Sequence, residues 1–281
     1  MTPGSCCHTP YAPAMNDAVI LTRDGPIATL SLNRPAALNA LDFAMVDALV
    51  ATTAAVAVDA TVRVVILAGS GRHFMAGGDI RTFAGELALD PAARQRRFQR
   101  MVEDVHAAVE NLHRMPQILI GRMQGAVAGI GLSLMNACDL VVAAEDAYFT
   151  SAYRHIALSP DGGASWTLPR LVGTRKAMEI LLLGDRFDAA EAQRLGLINR
   201  VVPASELDAT VAALARRVAD GPALAQRNTR RLVRGAASAS LAEQLQAEAV
   251  SFGQCAADED FPEGIRAFLD KRAPRFARDP E

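Results

Sequence analysis

Two short stretches of this chain place bare backbone where chemistry could use it. "HFMAGGDI", residues 73 to 80, follows the apolar segment "VRVVILAG" after three residues and sets Gly77 and Gly78 beside a carboxylate, Asp79. "AVAGIGLSL", residues 126 to 134, repeats the glycine theme at the start of a second helix. Glycines leave N–H groups unshielded where a ligand can approach, and a helix N-terminus adds positive potential. Two such donors converging on one oxygen would make an oxyanion hole. Two ordinary tight turns, with Asp79 as a helix N-cap, account for the same residues.

A third stretch, "SPDGG" (159 to 163), carries Asp161 in what is by itself a turn signature, with the carboxylate available to cap a helix starting near Ala164. Of the histidines, His155 reads as a hydrogen-bonded structural residue and His73 as facing solvent. His106 and His113 stand seven apart on one helix with no third ligand, so no metal site is expected and no histidine is given a catalytic role. The other nucleophile and phosphate patterns fail. From Gly69-Ser70-Gly71 the next glycine of GxGxxG falls on Phe74, and the chain has no GK[ST], GxSxG or HExxH.

The elements that must position these residues alternate strand and helix. Residues 17 to 32 read as a hairpin pausing at Asp24-Gly25-Pro26, and 42 to 57 as a helix with Asp42 as N-cap and Met45, Leu49 and Val50 on one face. "VRVVILAG" is apolar on both faces, which marks a strand covered from both sides. Asp90-Pro91 opens a long amphipathic helix in which Phe98, Met101, Val102, Val105, Val109 and Leu112 recur until Pro116. A buried strand (117 to 123), the glycine-opened helix (129 to 137) and two short strands follow; after Gly173 the patterns read as helices only. The expected organisation is a tail of residues 1 to 15, an α/β core over 16 to 205 and a helical C-terminal region over 206 to 281.

Composition narrows the function class. Of 281 residues, 51% are apolar, 21% charged and 5% aromatic, as in a soluble globular protein with a large core. The 29 basic and 31 acidic residues nearly cancel, which leaves no electrostatic footprint for nucleic acid or an anionic membrane and points to a small-molecule ligand. The local cluster Arg227, Arg230, Arg231 and Arg234 reads as a solvated helix face. Cys6, Cys7, Cys138 and Cys255 form no CxxC pair or Cys/His cluster, which fits a reducing cytoplasm. The longest apolar region is broken by Arg122, Gln124, Asn136 and Asp139, so no membrane span is expected. The leader has no secretory pattern, is expected to be disordered, and leaves Met15 as a candidate start.

Taken in order, "SLNRPAALNAL", "GSGRHFMAGGDI", "GAVAGIGLSLMNACDLVVAAEDAYF", "SPDGGASWTLPRLVG" and "GLINRVVP" resemble the crotonase family, the enoyl-CoA hydratase/isomerase superfamily, over about residues 17 to 276. The resemblance implies a crotonase-like spiral of ββα units with a helical C-terminal trimerisation or lid region. It implies a homotrimer or hexamer and an acyl-CoA substrate, with no cofactor beyond the coenzyme A of that substrate.

Matched position by position, the resemblance makes the N–H groups of Gly78 and Ile130 the oxyanion donors; one such donor is typically worth roughly 3 to 4 kcal/mol in the transition state. Relatives usually have glycine where Ile130 stands, which implies a narrower acyl pocket. Ala37, Asn39, Ala76, Gly77, Asp79 and Ile80 would line the CoA arm. Phe268 and Lys271 match positions that reach the adenosine and its phosphate, often from a neighbouring subunit; a core Phe beside a solvated Lys is the plain alternative. The two glutamates of classical hydratases are replaced by Ser133 and Tyr153, which here would line the substrate. Asp161 falls where Δ3,Δ2-enoyl-CoA isomerases carry a glutamate and ring-opening isomerases of phenylacetate breakdown an aspartate. Its pKa would be raised by apolar neighbours such as Trp166 and Leu158. The implied activity is a single-acid double-bond shift, with hydration through Asp161 and water, or CoA binding without catalysis, as alternatives. The segment 81 to 96 would form the mobile rim of the pocket.

Overall fold

The computed structural model describes residues 17–276. The expected disordered tail, residues 1 to 15, therefore lies outside the described residues. Within them the chain runs β1 (Val19–Asp24), β2 (Ile27–Leu32), α1 (Phe43–Ala57), β3 (Val64–Gly69), α2 (Ile80–Gly85), α3 (Pro91–Arg114), β4 (Ile118–Met123), β5 (Ala126–Ala128) and α4 (Ile130–Asn136). It continues through β6 (Leu140–Ala144), β7 (Tyr148–Thr150), α5 (Ala164–Val172), α6 (Thr174–Leu183), β8 (Phe187–Asp188), α7 (Ala189–Arg194) and β9 (Arg200–Val202). β8 and β9 correct the expectation of helices only after Gly173: these short segments become strands by pairing with β7 and β6, far from them in sequence. Four helices close it: α8 (Leu207–Ala219), α9 (Ala223–Gly235), α10 (Leu241–Ala256) and α11 (Asp260–Leu269).

Among the described residues the strands make two sheets. The larger has the order β1-β2-β3-β4-β6-β9 and is parallel except for the β1–β2 hairpin; the smaller has the order β5-β7-β8. Every residue of β3 is buried, as its unbroken apolar run requires. Alternate side chains explain why. Val65 and Leu67 join the core built with α1 and α3, while Val64, Ile66 and Ala68 pack on the opposite face with Leu207, Val211, Ala215 and Ala219 of α8. The helical C-terminal region thus begins as the second cover of the sheet.

The helix starts follow their caps. Asp42 accepts from the Met45 amide at 2.8 Å, and Asp90 accepts from Ala92 and Ala93 at 3.0 Å with Pro91 at the first helical position. Met101, Val105, Val109 and Leu112 are buried on α3, with Phe98 and Val102 half-buried toward the cavity described below.

Arg227 and Arg231 are exposed, but Arg230 and Arg234 correct the expectation of a solvated face. Arg230 is buried. Its Nε donates to Asp139 Oδ2 at 2.7 Å, and its guanidinium also donates to the carbonyls of Leu112, His113 and Met115 at the end of α3. Those carbonyls have no partner within the helix, so the arginine caps α3 from α9. Arg234 donates to Asp139 Oδ1, to the Ala137 carbonyl and to His113 Nδ1. Burial, with Arg234 and Arg230 close by, lowers the His113 pKa to about 4, which keeps its ring neutral and able to accept. Asp139 is the shared anion, and its Oδ2 also accepts the Leu119 amide of β4 at 2.8 Å. The helical spacing of the arginines was visible in the sequence, but their partners lie on elements far away in the chain.

Removing that anion strands one buried and one half-buried guanidinium group. Asp139→Ala is expected to lower unfolding stability in urea by about 3 to 5 kcal/mol, the usual range for breaking a buried pair from one side. An unchanged urea midpoint would show that α9 is held without the charge pair.

Candidate functional site

The site begins where β3 and β5 release the chain. Met75 pairs with Val127 as an isolated parallel bridge, its N–H donating to Ala126 O at 2.9 Å and its carbonyl accepting from Ala128 N at 2.9 Å. Two residues further on each side the turns touch. A Cβ built on Gly129 would stand 3.3 Å from Gly77 Cα, and both residues have positive φ, 54° and 100°, so glycine is required for the conformation and for the approach.

Leu41 sits across from Gly78 in a second parallel bridge: Leu41 N donates to Gly77 O and Asp79 N to Leu41 O, each at 2.8 Å. That pattern uses the groups on either side of Gly78 and turns its own N–H to the opposite face. Among the described residues no acceptor is paired with the amide of Gly78, nor with that of Ile130, the first residue of α4. Both residues border a cavity of about 570 Å³.

Asp79 takes the capping role. Its Oδ1 accepts from Arg81 and Thr82 at the start of α2, its Oδ2 pairs with Arg34 at 2.9 Å, and these bonds hold its pKa below the ordinary value against the opposing effect of burial. It does not border the cavity. Asn39 is fully buried, accepting from Arg34 N and donating to the carbonyls of Ser70 and His73, so its side chain stitches the 34 to 41 loop to the glycine turn and has no atom left for a ligand. Ala37 lies half-buried in the short turn Pro35–Ala37, off the cavity wall. Ala76, Gly77 and Ile80 do border it.

Asp161 is half-buried and opens on the same cavity. Its side chain caps no helix. α5 begins from Gly163 without a side-chain cap, while Tyr153 Oη donates to Asp161 Oδ1 at 2.6 Å. Burial raises the Asp161 pKa; the Tyr153 hydrogen bond opposes it. The enclosing wall differs from expectation. Leu158 borders the cavity, but Trp166 is 49% exposed on α5, edge-on to His113 and beneath Arg170.

Ser133 and Tyr153 do meet at this point. Ser133 Oγ donates to the Asp161 carbonyl at 2.9 Å from beneath, off the cavity wall, and Tyr153 lies in the turn Tyr153–Ile156. That turn is tied to α6: Ser151 Oγ donates to Ile180 O and Thr150 Oγ1 to Gly184 O, both at 2.8 Å, and His155 Nε2 lies 3.3 Å from Gly184 O. His73 is also structural, its Nδ1 accepting the Ala126 amide at 3.0 Å. His106, given no role from the sequence, borders the cavity beside Asp161 and accepts the Gly162 amide.

Ile130 accommodates its bulk against a glycine. A Cβ on Gly162 would meet Ile130 Cδ1 at 2.3 Å and Ser133 Cβ at 2.8 Å, so the isoleucine side chain occupies the space that glycine leaves open. Phe83 plays the same part over Gly78, its ring 2.5 Å from where a Cβ would stand, and it meets Phe98 edge-on at 5.0 Å. A second apolar space of about 480 Å³ shares Ile80, Phe83, Phe98, Ile156 and Leu158 with the first, so the segment 81 to 96 borders it as α2, a short turn and the start of α3. Phe268 and Lys271 are exposed at the end of α11 and border neither space; at 82% exposure Phe268 is no core residue.

Two amides without an acceptor among the described residues border a largely apolar cavity that has one carboxyl group on its wall, an arrangement able to hold an anionic oxygen beside a group that can carry a proton. A family model described as enoyl-CoA hydratase/isomerase matches residues 22–279, and the chain belongs to this family. It is 36% identical over 251 residues (89% of this chain, 94% of the relative) to a probable enoyl-CoA hydratase of Rhodobacter capsulatus. It is 34% identical, with the same shares covered, to the 1,2-epoxyphenylacetyl-CoA isomerase of Escherichia coli. A solved structure of a putative enoyl-CoA hydratase/isomerase from Mycobacterium abscessus superposes with a TM-score of 0.88 at 32% identity, covering 93% of this chain and 100% of that one. The fold is thus the crotonase fold.

Two expectations follow from the packing. In a double-mutant cycle, Gly162→Ala and Ile130→Ala should each destabilise, by about 1 to 3 and about 2 to 5 kcal/mol, and the double mutant should be at least about 1 kcal/mol more stable than their sum. Strict additivity would mean that the two residues do not share that space. For Tyr153→Phe, loss of a hydrogen bond that favours the ionised carboxylate should move the Asp161 titration midpoint upward in carboxyl NMR. A downward shift would show that the phenol is not the donor.

Proposed function

We propose that the protein shifts the double bond of an enoyl-CoA thioester, with Asp161 as the single acid and base. The observation that carries this reading is that Asp161 is the one carboxylate, among the described residues, on the wall of the cavity bordered by the Gly78 and Ile130 amides. Asp161 takes a proton from C2 of a 3-enoyl thioester, the C2–H pair moving into the dienolate. The two amides hold the thioester oxygen as negative charge develops there, and the Asp161 carboxylic acid returns the same proton to C4. A carboxyl whose pKa is raised by burial suits both halves of the exchange better than an ordinary one. Ser133 and Tyr153 stand where hydration would want two carboxylates, and neither is a base near neutral pH; burial pushes the Tyr153 pKa further up.

The apolar lining and the adjoining space of about 480 Å³ support an apolar acyl group. Assembly as a homotrimer or hexamer is part of the proposal, supported by exposed Leu241, Leu245 and Phe252 on α10 and Phe261, Ile265 and Phe268 on α11. Hydration through Asp161 and water is the second reading, favoured by the relatives named as hydratases.

A paired assay with a 3-enoyl-CoA and a 2-enoyl-CoA of equal chain length separates the two. Double-bond migration without hydration is expected, and Asp161→Asn should slow it by roughly 10²- to 10⁴-fold while leaving thioester binding intact. Hydration at a comparable rate would replace the isomerase reading. Retained migration in Asp161→Asn would remove this residue from the mechanism.

A further inference from the structure

His106 lies on α3, between the buried residues Val105 and Ala108 and beside Asp161 on the cavity wall. Its Nε2 accepts the N–H of Gly162 at 3.1 Å. A backbone amide can only donate, so this ring nitrogen holds a lone pair; the ring is uncharged and its single hydrogen is on Nδ1.

That hydrogen bond falls on a particular peptide unit. The Gly162 N–H and the Asp161 carbonyl belong to the same planar group, and the carbonyl accepts from Ser133 Oγ at 2.9 Å. One peptide plane is therefore gripped from both edges, by α3 through His106 and by α4 through Ser133. The grip matters because Gly162 and Gly163 both have positive φ, 58° and 81°, and a two-glycine turn has many other conformations open to it. With this plane held against α3 and α4, the Asp161 Cα is anchored and ψ of Asp161 fixes how its Cα–Cβ bond stands toward the cavity. The Tyr153 hydroxyl restrains the side chain, while the peptide clamp, together with the Ala164 amide that donates to the same Asp161 carbonyl at 3.1 Å, restrains the backbone that carries it.

We propose that His106 is a positioning residue for Asp161: by accepting the Gly162 amide it locks the Asp161–Gly162 peptide plane in the orientation that aims the carboxyl into the acyl cavity. With its lone pair engaged, the imidazole does not compete with Asp161 as a base. The other ionisable side chains on that wall are Tyr153 and His155. The catalytic part of this inference rests on the proposed function, whereas the clamp itself does not.

The test has two arms. In long-range proton–nitrogen NMR of the whole protein carrying ¹⁵N-histidine, His106 is expected as the neutral Nδ1–H tautomer at pH 7, the minority form of free imidazole. An Nε2–H or doubly protonated ring would overturn the clamp whatever the enzyme turns over. In kinetics with the thioester that the paired assay identifies, His106→Leu should lower kcat by roughly 10- to 100-fold with KM little changed, as for a misplaced catalytic group. His106→Gln, whose amide oxygen can accept the Gly162 N–H, should recover most of that loss and keep the wild-type pH profile. Equal losses in both variants together with a vanished pH limb would make the imidazole a proton carrier and overturn the positioning role, as would full kcat in His106→Leu. A wild-type protein inactive on both thioesters but showing the Nδ1–H ring would defeat the isomerase reading and leave the clamp standing.

Discussion

Gly77 and Gly129 meet backbone against backbone, and the site is arranged around that contact. A Cβ on Gly129 would crowd Gly77 Cα at 3.3 Å, and the positive φ of both residues would strain any side chain there, disturbing the turns that follow β3 and β5 and with them the amides of Gly78 and Ile130, which have no partner among the described residues. An unpaired amide is costly when buried away from any acceptor, so a fold that keeps two of them on one cavity wall leaves them for a ligand oxygen or water. The supporting contacts make this geometry rigid. Asn39 ties the 34 to 41 loop to the carbonyls of Ser70 and His73, Arg34 pairs with both Asp42 and Asp79, and the Leu41 bridge turns the Gly78 amide outward. Leu38 and Asn39 are both in the left-handed region, a strained conformation that these bonds hold in place.

Volume is exchanged between positions on the opposite wall. An isoleucine opens α4, and the room for it comes from Gly162. The same glycine makes the turn after Asp161 pliable, which is why the peptide that precedes it needs partners on two helices. The carboxyl is expensive to hold there. Burial disfavours its charged form, and the Tyr153 hydroxyl recovers only part of that loss, so the position suits the acid and base role proposed for it.

The C-terminal helices are joined to this core by charge as well as by apolar packing. Asp139 gathers Arg230 and Arg234 from α9, and Arg230 in turn closes the end of α3, the helix that presents His106 and the cavity-facing Phe98. The positioning of the cavity wall and the attachment of α9 are therefore coupled through the last turn of one helix.

Much of this was legible in the sequence because it depends on local chemistry. The cap residues Asp42, Asp79 and Asp90, the doubly covered strand β3 and the strand–glycine–helix repeats follow from residue type and spacing, and the ordered motifs identified the family. The position of Asp161 was legible, but not its freedom from capping. Tertiary structure decided which candidates face the cavity: it withdrew Asn39, Asp79 and Trp166 from the wall and added His106. It also turned Arg230 from a supposed solvated residue into a buried cap. The physical reason is sequence distance. His106 meets Gly162 across 56 positions and Arg230 meets Asp139 across 91, and such pairings are set by how the helices stack on the sheet, which no local pattern of residues encodes.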